Sequence, residues 1–471
     1  MPARKTYDQG QRRPKPVQPI RKKPVVKAKQ GRWLWLWLGL TGVAMLSATA
    51  GAFLAVSLAS TPLLQQKLSA EDEAVFTKND SFSRSSMRLP EVTRPVNILV
   101  MGIKVTASDL KNPPSELKNL GYDALVDSFE GLADTMLLLR FNPETKKIVV
   151  LSIPRDTRIL LNRSRAMKIN ETNIEGGPAL TAKAVSQLLD GVGIDRYVRL
   201  NVQGVEKLVD ALGGVTVYVP QDMKYTDEAQ HLFINLKQGK QHLNGDQALQ
   251  LLRFRYDKNG DIGRIQRQQM VMKALMEQAL NPTTVARTPK ILSVIQSHID
   301  TNLSVEELLA LVGFSVQTER SRVQMLMLPG DFNGDGHRSV SYWLPSQRRI
   351  QSMVAKYFDQ GYGDRERLDP SRIRVAIQDG SNDPRAVPLL IDSLRRAGYQ
   401  NVSVDAPLVE PLRVTHIVAQ QGDDESARAI YRALGIGDIR VETSGSLYSD
   451  VTIKVGRDWL KREVSDSYIT P

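Results

Sequence analysis

Residues 96–101 of the chain read VNILVM, residues 135–141 read TMLLLRF and residues 148–153 read IVVLSI. Each run is short and almost entirely apolar, which is typical of strands that are buried on both faces of a sheet. The sequence Asn142-Pro143-Glu144 supplies a turn between the second run and the third. These three runs predict the centre of a buried β-sheet.

Helix-like stretches lie between and after these strands. They cover residues 178–189, 203–212, 246–252 and 262–280, and further strands are predicted at 215–219 and 323–328. Pro178 suits the first position of a helix, and Gly191 suits a helix stop. Strands that alternate with helices predict a layered α/β domain, which we place at residues 95–355.

A second, smaller α/β domain is predicted over residues 371–460. Strands are expected near 373–377, 402–404, 416–419 and 451–455, with helices near 384–397 and 425–434. Residues 356–370, which include the polar sequence GYGDRERLD, are expected to form a linker, and residues 461–471 a short tail.

Charge is distributed unevenly along the 471 residues, whose formal net charge is +12. Residues 1–32 hold eleven of the Lys and Arg residues and a single acid, Asp8, so the remainder of the chain is close to neutral. A nucleic-acid-binding body would carry its basic excess on a folded face, so we expect no nucleic-acid partner. The chain has no Cys, which excludes disulfides and thiol catalysis.

Residues 33–60 contain no charged side chain and exceed the length of about 20 residues that a helix needs to cross a bilayer. The basic segment 1–32 before it predicts a disordered cytoplasmic tail. We therefore expect a single-pass protein of the cell membrane, with a stalk at 61–94 and the globular body outside. The alternative is a cleaved signal peptide with Ala48-Thr49-Ala50 as its processing site.

Two charged clusters could carry chemistry. The first is PRDT at residues 154–157 with KIN at 168–170, and the second is LLRFRY at 251–256 with DIGRIQRQ at 261–268. Arg253 and Arg255 are two residues apart, so in an extended segment their side chains point the same way.

Arg264, Arg267 and Gln268 are three and four residues apart, so they share one face of a helix, and Asp261 just before them could cap it. Several guanidinium groups in one place need a polyanion to offset their repulsion, and their forked geometry matches phosphate oxygens. A phosphate or pyrophosphate is the expected guest. The alternative is a solvated basic helix that forms ion pairs with Asp257 and Asp261.

Several motifs resemble the LytR-CpsA-Psr family of cell-wall proteins. They are NILVMG (97–102), ADTMLLLRF (133–141), SIPRDT (152–157), KIN (168–170), GGP (176–178), LVDALGGV (208–215), LNGDQALQLLRFR (243–255) and DIGRIQRQQ (261–269). The resemblance covers residues 95–330 in the family's order. The last domain resembles the LytR C-terminal domain through RVAIQDGS (374–381), RRAGY (395–399) and DVTIKVGRD (450–458).

The resemblance implies a three-layer α/β/α domain with a central mixed sheet and an apolar cavity for a lipid chain. It implies an extracytoplasmic phosphotransferase that moves a glycopolymer from a polyprenyl-diphosphate carrier to the cell wall, usually to a sugar hydroxyl of peptidoglycan. Phosphoryl transfer depends chiefly on positioning and on neutralising charge, which arginines and a divalent metal provide.

Residue roles follow from the same resemblance. The diphosphate would be held by Arg155, Arg253, Arg255, Arg264 and Gln268, with Lys168, Asn170 and Arg267 of the same clusters as further candidates. Asp134 would help to hold Mg²⁺, while Asp156 and Asp261 would orient arginines or remove a proton from the acceptor. The candidate catalytic residues are thus Asp134, Arg155, Asp156, Arg255 and Asp261.

Two positions depart from the family pattern. Lys104 lies where family members commonly have an Asp, and Leu132 lies where they often have an Arg. Asp123 or Asp127 could supply the missing metal ligand, or Lys104 could supply charge in place of the metal. Two alternatives therefore stay open: a catalytically weak relative that binds polyprenyl phosphate or glycan and organises wall assembly, and a membrane-tethered transcription regulator.

Overall fold

A computed structural model describes residues 68–77, 82, 90–104, 129–161, 165–227, 232–254, 260–279, 281–333, 342–361, 369–408, 410–446 and 448–461. The predicted cytoplasmic tail, the transmembrane segment 33–60 and the C-terminal tail from residue 462 lie outside these residues. Within the described part of the chain, no helix is both long enough and apolar enough to cross a membrane.

The strands of the first domain are β1 Val96–Lys104, β2 Leu132–Asn142, β3 Lys147–Ile153, β4 Arg158–Leu161, β5 Arg165–Lys168, β6 Arg196–Leu200, β7 Val215–Val219, β8 Met223–Asp227, β9 Leu232–Leu236, β10 Gly239–Leu243, β11 Ile299–Thr301, β12 Val323–Met327, β13 Gly330–Asn333 and β14 Tyr342–Pro345. The helices are α1 Ala70–Glu73, α2 Thr172–Leu188, α3 Val202–Leu212, α4 Gly245–Arg253, α5 Gly260–Ala279, α6 Thr288–His298, α7 Val305–Gln317 and α8 Gln347–Tyr357.

The three apolar runs do form the centre of the main sheet, whose strand order is β11-β6-β1-β2-β3-β12. Strand β2 is antiparallel to both β1 and β3, whereas β6 is parallel to β1 and β12 is parallel to β3. The prediction of a central mixed sheet is confirmed.

Helices cover both faces of this sheet. On one face, Leu99 and Leu151 belong to a core that also contains Val185 of α2 and Ile350 of α8. The opposite face forms a second core, in which Ile98 and its neighbours meet α5, α6 and α7. Strands such as β1 are buried on both faces for this reason, and the α/β/α layering follows.

Glycines break α2 near its start. Gly176 and Gly177 adopt non-helical backbone angles, and Gly177 lies in the left-handed region at φ 60°. Pro178 then begins the long helical part, as the sequence predicted, because its fixed φ suits a first turn. The residues before the break contact the β4–β5 hairpin, since Glu175 Oε1 lies 2.8 Å from Arg165 Nη2 of β5.

Residues 61–94 do not behave as a stalk where the structure describes them. Phe76 is 5% exposed and belongs to the core, with its ring 5.2 Å from that of Tyr197. Phe82 and Val92 are also buried and form an isolated β-bridge. The stalk prediction is wrong for these residues because their apolar side chains pack on the domain.

The first domain also continues past residue 355. Helix α8 ends at Tyr357, Phe358 is buried in the core, and the Asp359 carboxylate accepts a hydrogen bond of 2.6 Å from Arg140. The linker therefore begins several residues later than predicted, and residues 362–368 within it lie outside the described chain.

The second domain has its own sheet and core. Its strands are β15 Val375–Asp379, β16 Val402–Val404, β17 His416–Val418, β18 Asp438–Arg440 and β19 Val451–Val455, in the order β16-β15-β19-β17-β18. Helices α9 Ala386–Arg396 and α10 Asp424–Leu434 pack on it through Leu390 and Ile430. The predicted strand and helix set of this domain is present.

Candidate functional site

Asp134 lies at an irregularity in strand β2. Gly102 pairs with Thr135 and Ile103 pairs with Ala133, so Asp134 has no partner across the ladder. An extra residue of this kind bends a strand and re-aims a side chain, and such bulges are common beside active sites. Asp134 lines a pocket together with Gln268 of α5.

Arg155 joins Asp134 to the turn that follows β3. Its Nη1 lies 3.0 Å from Asp134 Oδ1, and its Nε lies 3.3 Å from Asp156 Oδ2. The other Asp156 oxygen, Oδ1, is 2.7 Å from Lys168 Nζ. Asp134 and Arg155 line the pocket, whereas Asp156 and Lys168 lie behind Arg155. Asp156 thus orients cations with both of its carboxylate oxygens.

The turn itself is held by a hydrogen bond within it and by two backbone amides from other parts of the chain. Thr157 Oγ1 donates to the Pro154 carbonyl at 2.6 Å, and the Trp343 amide donates to the Asp156 carbonyl at 2.9 Å. The Asn170 amide donates to the Arg155 carbonyl at 3.2 Å. The β4–β5 hairpin brings residues 168–170 back to 155–157, which explains why the two motifs of the first cluster meet.

The side chain of Asn170 is buried, with 4% exposure, and its Oδ1 atom has no hydrogen-bond partner. A buried amide oxygen without a donor costs about 1–3 kcal/mol. Asn170 lies behind the pocket rather than on its lining. Asn170 does not line the pocket as the structure describes it, so its role as a phosphate contact stays a prediction.

Among the residues of the second cluster whose side chains the structure describes, Gln268 lines the pocket. It lines the pocket together with Asp134 and Arg155 from the α5 side. Gln268 and Thr135 also line a second, larger cavity, so the two spaces adjoin at these residues. One residue of each cluster, Arg155 and Gln268, therefore lines the same pocket, and a phosphate site there stays a prediction.

The second cavity is an apolar tunnel of about 340 Å³. It runs over β1, β2 and β6 beneath helices α3, α5, α6 and α7, and its lining includes Leu139, Leu208, Leu275, Ile295 and Val312. These four helices belong to one of the two helical layers that were predicted to cover the sheet. The apolar cavity expected beside the cationic cluster is present.

Arg267 lies on a different side of α5 from Gln268. It is 2% exposed, its guanidinium lies 5.7 Å from the Phe254 ring, and its Nη2 donates to the Phe254 carbonyl at 2.5 Å. These contacts hold the end of α4 against α5. The structure therefore gives Arg267 a packing role and not the predicted phosphate contact.

Arg253 is the last residue of helix α4, so the extended geometry assumed for Arg253 and Arg255 is wrong at Arg253. Asp261 falls inside the first turn of α5, which begins at Gly260, and is not its cap. Arg255 and the side chains of Asp261 and Arg264 lie outside the described residues, so their predicted roles stay predictions.

The two departures from the family pattern face each other. Lys104 and Leu132 are cross-strand partners at the end of the β1–β2 ladder, two residues from Asp134. The positive charge expected on β2 is therefore carried by β1 instead, and the carboxylate expected on β1 is missing. Asp123 and Asp127 lie outside the described residues.

A buried ion pair supports this end of β2 from the other side. Arg199 Nε lies 2.6 Å from Asp300 Oδ2, and the two side chains are 1% and 2% exposed. The Arg199 guanidinium also lies 5.3 Å from the Phe129 ring, while Asn173 Nδ2 donates to the carbonyls of Phe129 and Gly131 at 2.9 and 2.8 Å. Sequence reasoning missed this network, since its members are far apart in the chain.

The site is thus an apolar cavity beneath a helical layer of a mixed α/β/α sheet, adjoining a smaller pocket lined by Asp134, Arg155 and Gln268. The chain belongs to the LytR_cpsA_psr family, whose model matches residues 60–359. Residues 372–459 match a second model, described as LytR cell envelope-related transcriptional attenuator. Both resemblances inferred from the motifs are confirmed.

Relatives of this chain include proteins named as cell-wall transferases. TagV of Bacillus subtilis, a polyisoprenyl-teichoic acid–peptidoglycan teichoic acid transferase, is 29% identical over 253 residues, which are 52% of this chain and 64% of TagV. TagU of Bacillus cereus, with the same activity in its name, is 29% identical over 56% of this chain and 85% of TagU. The biofilm regulatory protein A of Streptococcus mutans is also 29% identical, over 55% and 64% of the respective chains.

The crystal structure of B. subtilis TagV is 26% identical and covers 57% of this chain and 99% of that one, with a TM-score of 0.46.

Proposed function

We propose that the protein is a phosphotransferase that moves a glycopolymer from a polyprenyl-diphosphate carrier to the cell wall, with a sugar hydroxyl of peptidoglycan as acceptor. We further propose that it acts at the outer face of the cell membrane, anchored by residues 33–60. The observation that carries the proposal is the junction at Gln268 and Thr135, where the apolar tunnel adjoins the pocket of Asp134 and Arg155.

The tunnel fits the polyprenyl chain and the pocket fits the diphosphate. Burying apolar surface stabilises a bound lipid by about 25 cal/mol per Å², so an isoprenoid in the tunnel supplies most of the affinity. The guanidinium of Arg155, oriented by Asp156, would then face the phosphates at the tunnel mouth. Lipid binding in this way positions the phosphorus that reacts.

In the reaction, the acceptor hydroxyl attacks the phosphorus that bears the glycopolymer. The bond between that phosphorus and the bridging oxygen breaks, and polyprenyl phosphate leaves with the bond's electron pair. The hydroxyl proton passes to a carboxylate. Asp156 is engaged by Arg155 and Lys168 through both oxygens, which supports an orienting role, and we assign proton removal to Asp261.

Mg²⁺ is proposed as a cofactor. Among the described residues there is no group of three or more His, Cys, Asp or Glu side chains that could hold a metal ion. Mg²⁺ is commonly bound by one or two carboxylates together with substrate phosphates and water, and Asp134 in the pocket lining fits that pattern. When bound there, the ion would supply positive charge to the phosphate oxygens.

Incubation of the full chain with a polyprenyl-diphosphate saccharide and peptidoglycan tests the proposal. We expect wild-type protein to release polyprenyl phosphate and to form the sugar–phosphate linkage. Arg255→Ala and Arg264→Ala should abolish transfer without unfolding the domain, because each change would remove a proposed phosphate contact. Unaltered turnover in both variants would contradict the assigned pocket.

A second function is favoured by the Lys104–Leu132 pair at the end of the β1–β2 ladder. A protein that lacks the expected carboxylate there could bind the lipid carrier without transferring it and organise wall assembly instead. Lipid that copurifies with the chain, combined with no phosphate transfer in Mg²⁺, would select this binding function.

A further inference from the structure

The β12 edge of the central sheet is covered by the C-terminal domain. The Met325 amide donates to the Val441 carbonyl at 3.0 Å, and the Met327 amide donates to the Gln420 carbonyl at 2.8 Å. An exposed edge strand offers unpaired backbone groups to other chains, and this contact satisfies two of them. The two domains therefore share a hydrogen-bonded boundary that runs along β12.

On the side of this boundary nearest α8, charged side chains fasten the domains together. Arg349 lies 3.0 Å from Asp450 of the second domain and 2.7 Å from Asp331 of the first. The Tyr357 hydroxyl donates to the Gly422 carbonyl at 3.0 Å. Gly422 lies in the left-handed region, and a Cβ there would come within 2.9 Å of the Tyr357 ring, so the fit is close.

On the side nearest α5, one ion pair joins the second domain to the helix that carries Gln268. Lys273 Nζ lies 2.9 Å from Glu442 Oε2, and the Glu442 side chain is 13% exposed. Lys454 Nζ is 4.0 Å from the other oxygen of Glu442. Lys273 follows Gln268 by five residues on the same helix, so this pair restrains α5 close to the pocket.

The loop that carries Glu442 also reaches the pocket. Thr443, the next residue, lines it together with Asp134, Arg155 and Gln268. The loop is held internally, since the Ser446 amide donates to Thr452 Oγ1 at 2.8 Å. Lys454 Nζ also donates to Ser444 Oγ at 2.7 Å. A loop fixed in this way forms a wall with a defined position.

A second route connects the boundary to α5. Gln269 Nε2 lies 3.6 Å from the sulfur of Met327, whose amide is the one bound by Gln420. Gln269 is adjacent to Gln268 in the helix. The C-terminal domain therefore contacts α5 directly through Glu442 and indirectly through β12.

We propose that the C-terminal domain is a fixed part of the substrate site. Its loop 441–446 forms one wall of the pocket for the phosphates of a polyprenyl diphosphate, and Glu442 is a positioning residue that holds α5 and Gln268 over them. The identity of the bound group rests on the proposed function, whereas the restraint on α5 does not.

Variants of the full chain in detergent test this proposal. Lys273→Met and Glu442→Leu break the ion pair between Lys273 and Glu442. Lys273→Arg keeps the positive charge of that pair. Thr443→Trp places a bulky side chain in the wall of the pocket. Arg349→Met is the matched control, because it breaks an interdomain ion pair that touches neither α5 nor the pocket. Two quantities are measured: the KM for a polyprenyl-diphosphate saccharide, and the hydrogen exchange of α5 peptides without substrate.

We expect Lys273→Met and Glu442→Leu to raise KM about tenfold and to speed exchange in α5. Thr443→Trp should raise KM without faster exchange, and Lys273→Arg and Arg349→Met should stay within about twofold of wild type for both quantities. Equal effects of Arg349→Met and Glu442→Leu would overturn the proposal, since they would indicate a purely structural domain contact.

Hydrogen exchange separates this proposal from the proposed function. If wild-type protein transfers no phosphate, the proposed function fails, but faster α5 exchange confined to the Lys273 and Glu442 variants still supports the positioning role. If transfer is normal and α5 exchange is unchanged in those two variants, the positioning role fails while the proposed function stands.

Discussion

Removal of one partner of the Arg199–Asp300 pair should destabilise the first domain strongly. The side chains are 1% and 2% exposed and their charged atoms are 2.6 Å apart, so Arg199→Met leaves the Asp300 carboxylate buried without its cation. Breaking a buried pair from one side costs about 3–5 kcal/mol. Asp300→Leu should cost a similar amount, because it leaves the guanidinium buried instead.

The double variant Arg199→Met with Asp300→Leu should recover most of that loss. Replacing both charges by apolar groups of similar volume is often neutral or stabilising, so the coupling free energy in a double-mutant cycle should approach the sum of the two single losses, about 6 kcal/mol or more. Hydrogen exchange of peptides from β1 and β6 measures the first domain alone, and each single variant should speed their exchange by roughly two to four orders of magnitude.

The refuting result is additive behaviour. If the double variant is as unstable as the sum of the two single variants, the pair is not the reason for their loss of stability. A matched control is Lys237→Met, which breaks an ion pair whose side chains are 76% and 62% exposed and should change stability by less than about 1 kcal/mol.

Three further outcomes are expected. Burial alone would raise the pKa of Glu442, but Lys273 and Lys454 outweigh it and lower the pKa from 4.5 to about 2. Domain docking should therefore be fully stabilised by this group above about pH 4.5 and weaken as the pH falls towards 2, as followed by hydrogen exchange at β12, and Glu442→Gln should lack this dependence. Val312→Trp should fill the tunnel and abolish binding of a fluorescent polyprenyl diphosphate, while a Trp at the exposed position Leu160 should not. Lys104→Asp restores the carboxylate of the family pattern and should lower the Mg²⁺ concentration for half-maximal transfer; an unchanged Mg²⁺ titration would show that this position does not act on the metal.

Strands with a strong local signal were predictable from the sequence. The ends of β7, β16 and β19 fall at the predicted residues because each is a short segment rich in β-branched residues between turn signals. Helix α7 carries a full capping box at Ser304 and Glu307, a sequence signature that could have located it, but its nearly continuous apolar sequence has no clear polar face. The β4–β5 hairpin has strands of four residues with polar and apolar positions mixed, which give little periodic signal.

The candidate site was predictable only in part. Arg155, Asp156 and Lys168 could be grouped from their motifs, and the structure brings them together. Arg267 was misassigned because helical spacing indicates a shared face without saying what that face contacts. Thr443 and Glu442 could not be found at all, since only docking of the second domain brings them to α5.

The tunnel between the helical layer and the sheet is an unfilled apolar cavity in the first domain. An unfilled apolar cavity costs about 24 cal/mol per Å³, so the 340 Å³ here corresponds to an upper limit of roughly 8 kcal/mol that a bound isoprenoid could return. The lipid would then be a missing piece of the core as well as a reactant. When the polyprenyl phosphate dissociates, the first domain would lose this stabilisation until another carrier binds. We therefore expect a short-lived empty state.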